Sequence, residues 1–187
     1  MPTKLYKLTR PDRTTNGGMK WRKGATHKIE PCANPQLCSG DVLHAYRNPN
    51  LAYLINPIHG NFNNPRLYEV EGSVVAEDWG KVGCFELAVV KELKKPSWVD
   101  SKDKWKVRLG FSILCARAVL HHFENSFPED KRARKAIEAA EEYLKNPSKS
   151  AAWSARSARS AARSAESAAE LDFGLLADEA AREGTKQ

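Results

Sequence analysis

The sequence predicts an α+β protein with a β-rich N-terminal half and a helical C-terminal half. Two observations carry this prediction. Up to Lys95 the apolar residues alternate in short runs that turn residues interrupt, which is typical of strands. Beyond Pro96 they recur every three to four positions, which is typical of helices. We therefore predict a small domain of mixed or antiparallel strands at residues 1–96 and a helical region at residues 97–187.

Alternating stretches predict the strands of the first half. They cover residues 4–9, 42–46, 67–75 and 85–93. Asn16–Gly18 is a hairpin-turn pattern because glycine accepts positive φ, and it predicts that Trp21 and Thr26–Ile29 lie on segments returning from the first strand. A short helix is predicted at Asn50–Ile55, and Pro57 ends it.

Helices are predicted in the second half from the apolar spacing and from residues that begin and end helices. They cover residues 101–125, 129–145, 148–170 and 171–183, each to within a residue or two. Asp100 or Ser101 is expected to cap the first helix. Pro128, Glu129 and Asp130 are expected to form the first turn of the second, because proline is preset for a helix and acids favour its positive end.

The helix predicted at residues 148–170 has an unusual composition. Its alanines recur at intervals of four and three, which forms a heptad stripe suited to the close approach of another helix. Arginines lie toward its N-terminus and glutamates toward its C-terminus, opposite to the order that the helix dipole favours. An antiparallel second copy would place Arg156 opposite Glu170 and Arg159 opposite Glu166. The alanine stripe consists of Ala151, Ala155, Ala158, Ala162, Ala165 and Ala169.

Three interpretations of this helix stay open. It is a solvated helix packed on the rest of its domain, or it pairs with a second copy in a homo-oligomer, or it presents a basic stripe to nucleic acid. For the third case we expect weak, non-specific binding, because arginines that pair with a neighbouring chain leave little positive potential for phosphates. The residues of that stripe would be Lys145, Lys149, Arg156, Arg159 and Arg163.

Composition and charge limit the classes of protein to which the chain can belong. The 187 residues include 30 Lys and Arg against 23 Asp and Glu, so the formal net charge is +7. The chain has no apolar run of membrane-spanning length and no signal-peptide pattern, so we expect a cytoplasmic protein without a membrane partner. The four cysteines are expected to be reduced in that compartment.

Common nucleotide-binding, hydrolase and zinc motifs are absent from the sequence, and we predict no cofactor, no metal and no catalytic residue.

Polar and aromatic residues are concentrated in the first half at residues 43–47 and 56–66. Loops with this composition often bind ligands, because their side chains and amides are free to face one. Asparagine, histidine and arginine side chains recognise phosphates and base edges, although Asn-Pro and Asn-Asn pairs are also ordinary turn residues. The predicted ligand- or partner-binding residues are His44, Tyr46, Arg47, Asn56, His59, Asn61, Asn64 and Arg66.

The first half also resembles a domain family found in phages and prophages. The resemblance runs from Tyr6 to Leu93 and rests on short motifs spread through that range. Members often continue into Ala- and Ser-rich repeats, as residues 148–169 do here, although Asp41 and Val42 replace the usual Gly-Trp. The residues and motifs that carry the resemblance are Gly18, Trp21, Leu37-Cys38, Leu43-His44-Ala45-Tyr46, Asn56-Pro57-Ile58-His59, Asn64 to Gly72 and Val90-Lys91-Glu92-Leu93.

The resemblance implies a phage or prophage protein acting in the cytoplasm of a bacterial host. By analogy with small phage proteins, the first functional hypothesis is a non-enzymatic inhibitor of host defence. It would sequester a nucleotide-like ligand or block a nucleic-acid-handling immune complex. The alternatives are a nucleotide-modifying enzyme of the ADP-ribosyl-transfer type and a direct nucleic-acid-binding protein that uses the basic helix.

Overall fold

In a computed structural model of the chain, residues 2–147 and 171–185 are described. Their strands lie in the N-terminal half and their long helices in the C-terminal half, which confirms the predicted α+β class. The chain divides into two compact units, Met1–Val99 and Asp100–Gln187. The predicted helix at 148–170 lies outside the described residues. The whole alanine stripe also lies outside the described residues, as do Lys149, Arg156, Arg159, Arg163, Glu166 and Glu170.

The first unit contains two antiparallel sheets. One has four strands, in the spatial order β1 (Thr3–Thr9), β4 (Arg66–Gly72), β7 (Glu86–Leu93) and β2 (Thr26–Lys28). The other has three, in the order β3 (Leu43–Ala45), β6 (Val82–Cys84) and β5 (Val74–Glu77). A short helix, α1 (Pro49–Ile55), has the Asn48 side chain as its N-cap.

One predicted strand is divided in the structure. The stretch 67–75 covers β4 and the start of β5, whereas the stretch 85–93 is a single strand, β7. The chain passes from one sheet to the other between β4 and β5 and passes back between β6 and β7. Gly72 allows the close approach, because a Cβ atom there would lie 2.4 Å from the carbonyl oxygen of Glu86. Period-2 alternation continues through such a change of sheet, so the sequence pattern does not reveal it.

The predicted return of residues 26–29 beside the first strand is wrong. The chain does reverse near Asn16–Gly18, where Thr14 and Lys20 form an antiparallel bridge. However, β2 pairs with β7, and β1 pairs with β4 over seven residues. The longer pairing also matches opposite charges, since Lys4 forms an ion pair with Glu69 at 3.0 Å.

The core of the first unit contains one tryptophan and one tyrosine among aliphatic and small residues from both sheets. The Trp21 ring is fully buried there, and its Nε1 donates to Thr15 Oγ1 at 3.0 Å. Burial of such side chains is the main term that stabilises the unit. The buried members are Leu5, Trp21, Leu43, Ala45, Tyr68, Val70, Val82, Cys84, Leu87 and Val89.

The second unit is helical. Its helices are α2 (Lys104–Ser126), α3 (Arg132–Lys145) and α4 (Phe173–Gly184). A cluster that includes Ile113 and Ile137 lies between α2 and α3, and Arg117 forms an ion pair with Glu141 across them. On the other side of α2, a Cβ atom at Gly184 of α4 would lie 2.6 Å from a methyl group of Val107, so glycine permits this close contact.

Both predicted helix starts in this unit differ from the structure. Asp100 ends a 3-10 turn, and α2 begins at Lys104 with no side-chain cap. Residues 128–130 precede α3 as a turn, and the Asp130 carboxylate accepts a hydrogen bond from the backbone N–H of Arg132 at 3.0 Å. Asp130 therefore belongs to the turn before α3, and the N-cap residue of α3, Lys131, makes no side-chain capping bond. Among the described residues, no helix is both long enough and apolar enough to cross a membrane.

Candidate functional site

A cavity of about 550 Å³ opens in the first unit. This volume is within the range of small-molecule binding sites. Lys7 reaches it from β1 and His44 from β3, while His59 comes from the loop after α1 and Lys81 from the turn before β6. Four segments that are distant in sequence therefore meet at one site.

Lys7 is a buried cation on the wall of the cavity. Strand alternation places it on the same face as Leu5, and its side chain is 8% exposed. Its ammonium group donates to the backbone carbonyl of His44 and lies 4.7 Å from the ring centroid of Trp21. Burial lowers the Lys7 pKa to about 8. No ion pair joins Lys7 to a carboxylate within residues 2–147 and 171–185.

Lys81 is a second buried cation and is 7% exposed. A tight turn fixes its backbone, because the Asp78 carboxylate accepts from the N–H groups of Gly80 at 2.8 Å and Lys81 at 2.7 Å. The Lys81 Nζ lies 2.8 Å from Cys38 Sγ and 3.6 Å from Asp78 Oδ2. Asp78 thus compensates one of the two cavity lysines in part.

The two histidines of the cavity are uncharged at neutral pH. His44 Nε2 accepts a hydrogen bond from the backbone N–H of Cys38 at 3.0 Å. Burial, followed by the nearby charges of Lys7 and Lys81, lowers the His44 pKa to about 4. Burial, followed by Lys81, likewise lowers the His59 pKa to about 4. The positive charge of the cavity therefore comes from its lysines.

Aromatic rings form another part of the wall. The rings of Tyr46 and His59 are nearly parallel, with 6.2 Å between centroids and an interplanar angle of 11°. Burial raises the Tyr46 pKa to about 12, with a smaller contribution from Asp78, so its hydroxyl stays protonated. Trp21 and Phe62 also line the cavity. The wall combines flat apolar surfaces with ammonium groups, which suits a ligand that carries both a ring and an anionic group.

Three of the eight residues predicted as ligand-binding line this cavity, namely His44, Tyr46 and His59. Arg47 lies outside the lining and forms an ion pair with Glu77 at 2.6 Å. Its guanidinium is therefore already paired on the surface.

The predicted asparagines and Arg66 stabilise loops beside the cavity and do not line it. Asn56 hydrogen-bonds to the backbone of Phe62 through both its amide oxygen and its amide nitrogen. Asn61 and Asn64 adopt positive φ of 48° and 46° in turns. Arg66 donates to the Pro11 carbonyl at 2.7 Å and pairs with Glu92 at 2.6 Å.

Sequence reasoning missed the two cavity lysines and Cys38. Lys7 carried no usable signal, because it alternates with Leu5 and Thr9 on one face of the strand while Tyr6 and Leu8 lie on the other, so the sequence does not mark either face as the inner one. Lys81 and Cys38 carried no signal of a ligand site either. They lie 43 residues apart in irregular segments, and the fold alone brings them together.

The fold and this cavity define an α+β protein with a positively charged site of ligand size in its β-rich unit. In the helical unit, residues 100–184 match a family described as "Imm-5 like putative immunity protein". The match covers less than half of the chain and includes α2, α3 and α4. No curated protein and no solved structure gives a significant match. The similarity to an immunity family thus concerns the helical half, whereas the resemblance to phage domains concerns Tyr6–Leu93 and stays a prediction.

Proposed function

We propose that the protein is an immunity-type inhibitor that acts by binding, and that its N-terminal cavity sequesters a small anionic ligand of the nucleotide type. One observation carries the ligand class: two lysines, Lys7 and Lys81, are each more than nine-tenths buried and line one cavity of ligand size. The match of residues 100–184 supports the immunity setting.

The charge balance of the cavity supports an anion. A buried ammonium group without a carboxylate partner is costly, because burial removes the water that stabilises its charge. Lys7 is in this situation, and its lowered pKa has burial as the first cause. Asp78 provides one negative charge near Lys81. A phosphate bound between the two lysines would supply the missing charge and accept hydrogen bonds from both ammonium groups.

The aromatic wall supports a ligand with a ring attached to that anion. The Tyr46 and His59 rings are nearly parallel, and both residues line the cavity. A base or another flat heterocycle offers a face that can stack on such a wall. Nucleotides combine these groups in one molecule.

Titration calorimetry of the full chain tests this function. We expect a nucleoside phosphate to bind, and we expect Lys7→Met and Lys81→Met to weaken binding about 10- to 100-fold, since a charge-assisted hydrogen bond contributes about 1.5–3 kcal/mol. Lys28→Met is the matched control, because Lys28 is an exposed lysine paired with Glu86. Failure of inorganic phosphate, mononucleotides and dinucleotides to bind would exclude the proposed ligand class. The class would also be excluded if Lys28→Met weakened binding as much as the two cavity variants do.

Recovery of the ligand separates sequestration from turnover. Bound ligand that is released unchanged by boiling supports a binding protein. Chemical conversion of the ligand by the purified protein would instead support the nucleotide-modifying alternative, for which the near-neutral pKa of Lys7 would be the relevant property.

A second candidate function is direct blocking of a protein partner by the helical unit, including a nucleic-acid-handling immune complex of the host. The observation that favours it is the immunity-family match, which lies entirely within residues 100–184. Capture of partners by the full chain, compared with capture by the Lys7→Met variant, distinguishes the two. A partner retained equally by both proteins would assign the inhibition to a surface other than the cavity.

A further inference from the structure

We propose that Cys38 and Lys81 form a reversible covalent cross-link, in which one oxygen atom joins the lysine nitrogen to the cysteine sulfur at the wall of the cavity. This is a modification site on the binding site of the proposed function. Its formation can be measured without any ligand.

The geometry of the pair carries the inference. Cys38 Sγ and Lys81 Nζ lie 2.8 Å apart. Sulfur is a large atom and a weak acceptor, so an ammonium group normally stays further from it than from an oxygen. A separation this short instead fits a nitrogen and a sulfur that share one small bridging atom.

Both partners are held in place. The two hydrogen bonds that the N–H groups of Gly80 and Lys81 donate to the Asp78 carboxylate fix the backbone at Lys81, and the lysine side chain is almost wholly buried. The backbone N–H of Cys38 donates to His44 Nε2 at 3.0 Å. Because the lysine and the cysteine are anchored independently, their side chains stay in contact without a conformational change.

An oxidant has access to the pair from the side of the cysteine. Cys38 is exposed, whereas Cys84 and Cys115 are buried. Cys32 is also exposed and free, and it lies in the same loop region. Cys32 therefore serves as an internal control for oxidation that depends on exposure alone.

The oxidant is dioxygen, and the reaction balances with one water as the second product. A thiol, a neutral amine and O₂ give the S–O–N bridge and H₂O. The S–H bond and one N–H bond break, and S–O and O–N bonds form. Sulfur and nitrogen each lose two electrons, and dioxygen takes up all four. One oxygen atom enters the bridge, and the other leaves as water with the two hydrogens.

The cross-link changes the charge of the site. The bridged nitrogen is a weak base, so Lys81 no longer contributes a positive charge. Of the two cavity lysines, Lys7 alone then remains charged. This consequence rests on the proposed function. We expect the oxidised protein to bind an anionic nucleotide about 10-fold or more weakly than the reduced protein, in line with the loss of one charge-assisted contact.

Intact-mass measurement of the full chain tests the cross-link. The protein is purified with a reductant and then held in air-saturated buffer. We expect the mass to rise by that of one oxygen atom minus that of two hydrogen atoms. Dithiothreitol should reverse this change. The Cys32→Ser variant should behave like the unchanged protein. Cys38→Ser and Lys81→Arg should not gain this mass.

Peptide mapping locates the bridge. Trypsin is expected to leave the bond after Lys81 uncut in the oxidised protein, so that a peptide of residues 67–91 appears, linked to residues 29–47. The Cys32→Ser variant assigns the linked sulfur to Cys38, since both cysteines lie in the second peptide.

Three results would overturn the cross-link. They are an unchanged mass, a gain of whole oxygen atoms as in ordinary cysteine oxidation, and a loss of two hydrogens as in a disulfide. The mass is independent of ligand binding. A cross-linked protein whose reduced form binds no nucleotide would therefore disprove the proposed function and leave the modification standing.

Discussion

Lys7 shows how one residue can lower stability and serve a binding site at the same time. Its pKa falls from the ordinary value of 10.5 to about 8 because it is buried. That shift corresponds to about 3 kcal/mol of unfavourable free energy for the charged form in the folded protein. The position is otherwise suited to an apolar side chain on the inner face of β1.

We expect Lys7→Met to stabilise the protein at pH 7 by about 2 kcal/mol. The variant no longer carries the cost of the buried charge, but it loses about 1 kcal/mol because the hydrogen bond to the His44 carbonyl is removed. Between pH 8 and pH 10.5 the unfolded chain keeps a proton that folded Lys7 has released. The free energy of unfolding of the unchanged protein therefore rises with pH in this window, and the advantage of the variant disappears.

Urea unfolding at pH 7 and at pH 10 measures this effect as a difference between the two proteins. Lys28→Met provides the reference, because an exposed lysine should give nearly the same difference at both pH values. A variant at position 7 that is less stable than the unchanged protein at pH 7 would show that the ammonium group has a net stabilising role.

At the scale of elements, the Asn56 side chain holds the part of the loop between α1 and β4 that reaches the cavity. Asn56 donates its amide N–H to the carbonyl of Phe62 at 3.0 Å and accepts from the N–H of Phe62 at 3.1 Å. Asn56 is buried, so both backbone groups of Phe62 depend on it in a place that water does not easily reach. Phe62 in turn lines the cavity.

We expect Asn56→Ala to destabilise the protein by about 1–3 kcal/mol, because buried backbone groups lose their partners. Ligand affinity should fall as well, since the loop carries His59 and Phe62. Asn61→Gly is the control. It keeps a positive φ that glycine adopts freely, and it should leave the thermal midpoint nearly unchanged. Equal stability of the Asn56 and Asn61 variants would contradict this role for the side chain.

The predictability of the fold differs from element to element. Helix α1 and strand β1 follow from local patterns, because a proline ends the one and alternation marks the other. The pairing of β2 with β7 and the change of sheet at Gly72 depend on which distant strands meet, and alternation does not encode that choice. The predicted start of α3 was three residues early, because residues 128–130 form a turn in which the Asp130 carboxylate accepts from the N–H of Arg132.

The candidate site was predictable to the extent that its residues are clustered in sequence. His44, Tyr46 and His59 come from one polar and aromatic region, and the fold brings them to one cavity. Lys81 comes from a turn and Lys7 from a strand far away in the chain, so tertiary structure supplies the positive charge. The same region also contains side chains such as Asn56 that serve the backbone, and composition does not separate these from ligand-binding groups.

At the scale of the whole molecule, the homo-oligomer stays a prediction. Removal of everything after Pro147 would not test it cleanly. That change also deletes α4, whose buried residues include Phe173 and Ala177. The Phe173 ring lies 6.5 Å from that of Phe111 in α2, so the deletion would uncover part of the helical unit.

Charge reversal within the full chain is the better test. We expect a dimer at micromolar concentration that Arg156→Glu with Arg159→Glu converts to a monomer, because each glutamate would then face a glutamate of the other copy. Adding Glu166→Arg and Glu170→Arg should restore the dimer with the opposite charge order. Sedimentation velocity measures the subunit number, and a monomeric unchanged protein would end the helix-pairing hypothesis.

The place of β1 in the sheet has a consequence for biosynthesis. Its partner β4 begins at Arg66, which is 57 residues after Thr9, the end of β1. On the ribosome, β1 therefore emerges before both of its partners. Tyr46, which bridges Tyr6, follows first, and β4 follows only after the rest of the intervening chain is made. A strand without its partner can associate with other chains, and charged side chains such as Lys4 and Lys7 oppose this. We expect the charge that weakens the folded protein at Lys7 to protect the nascent strand from aggregation.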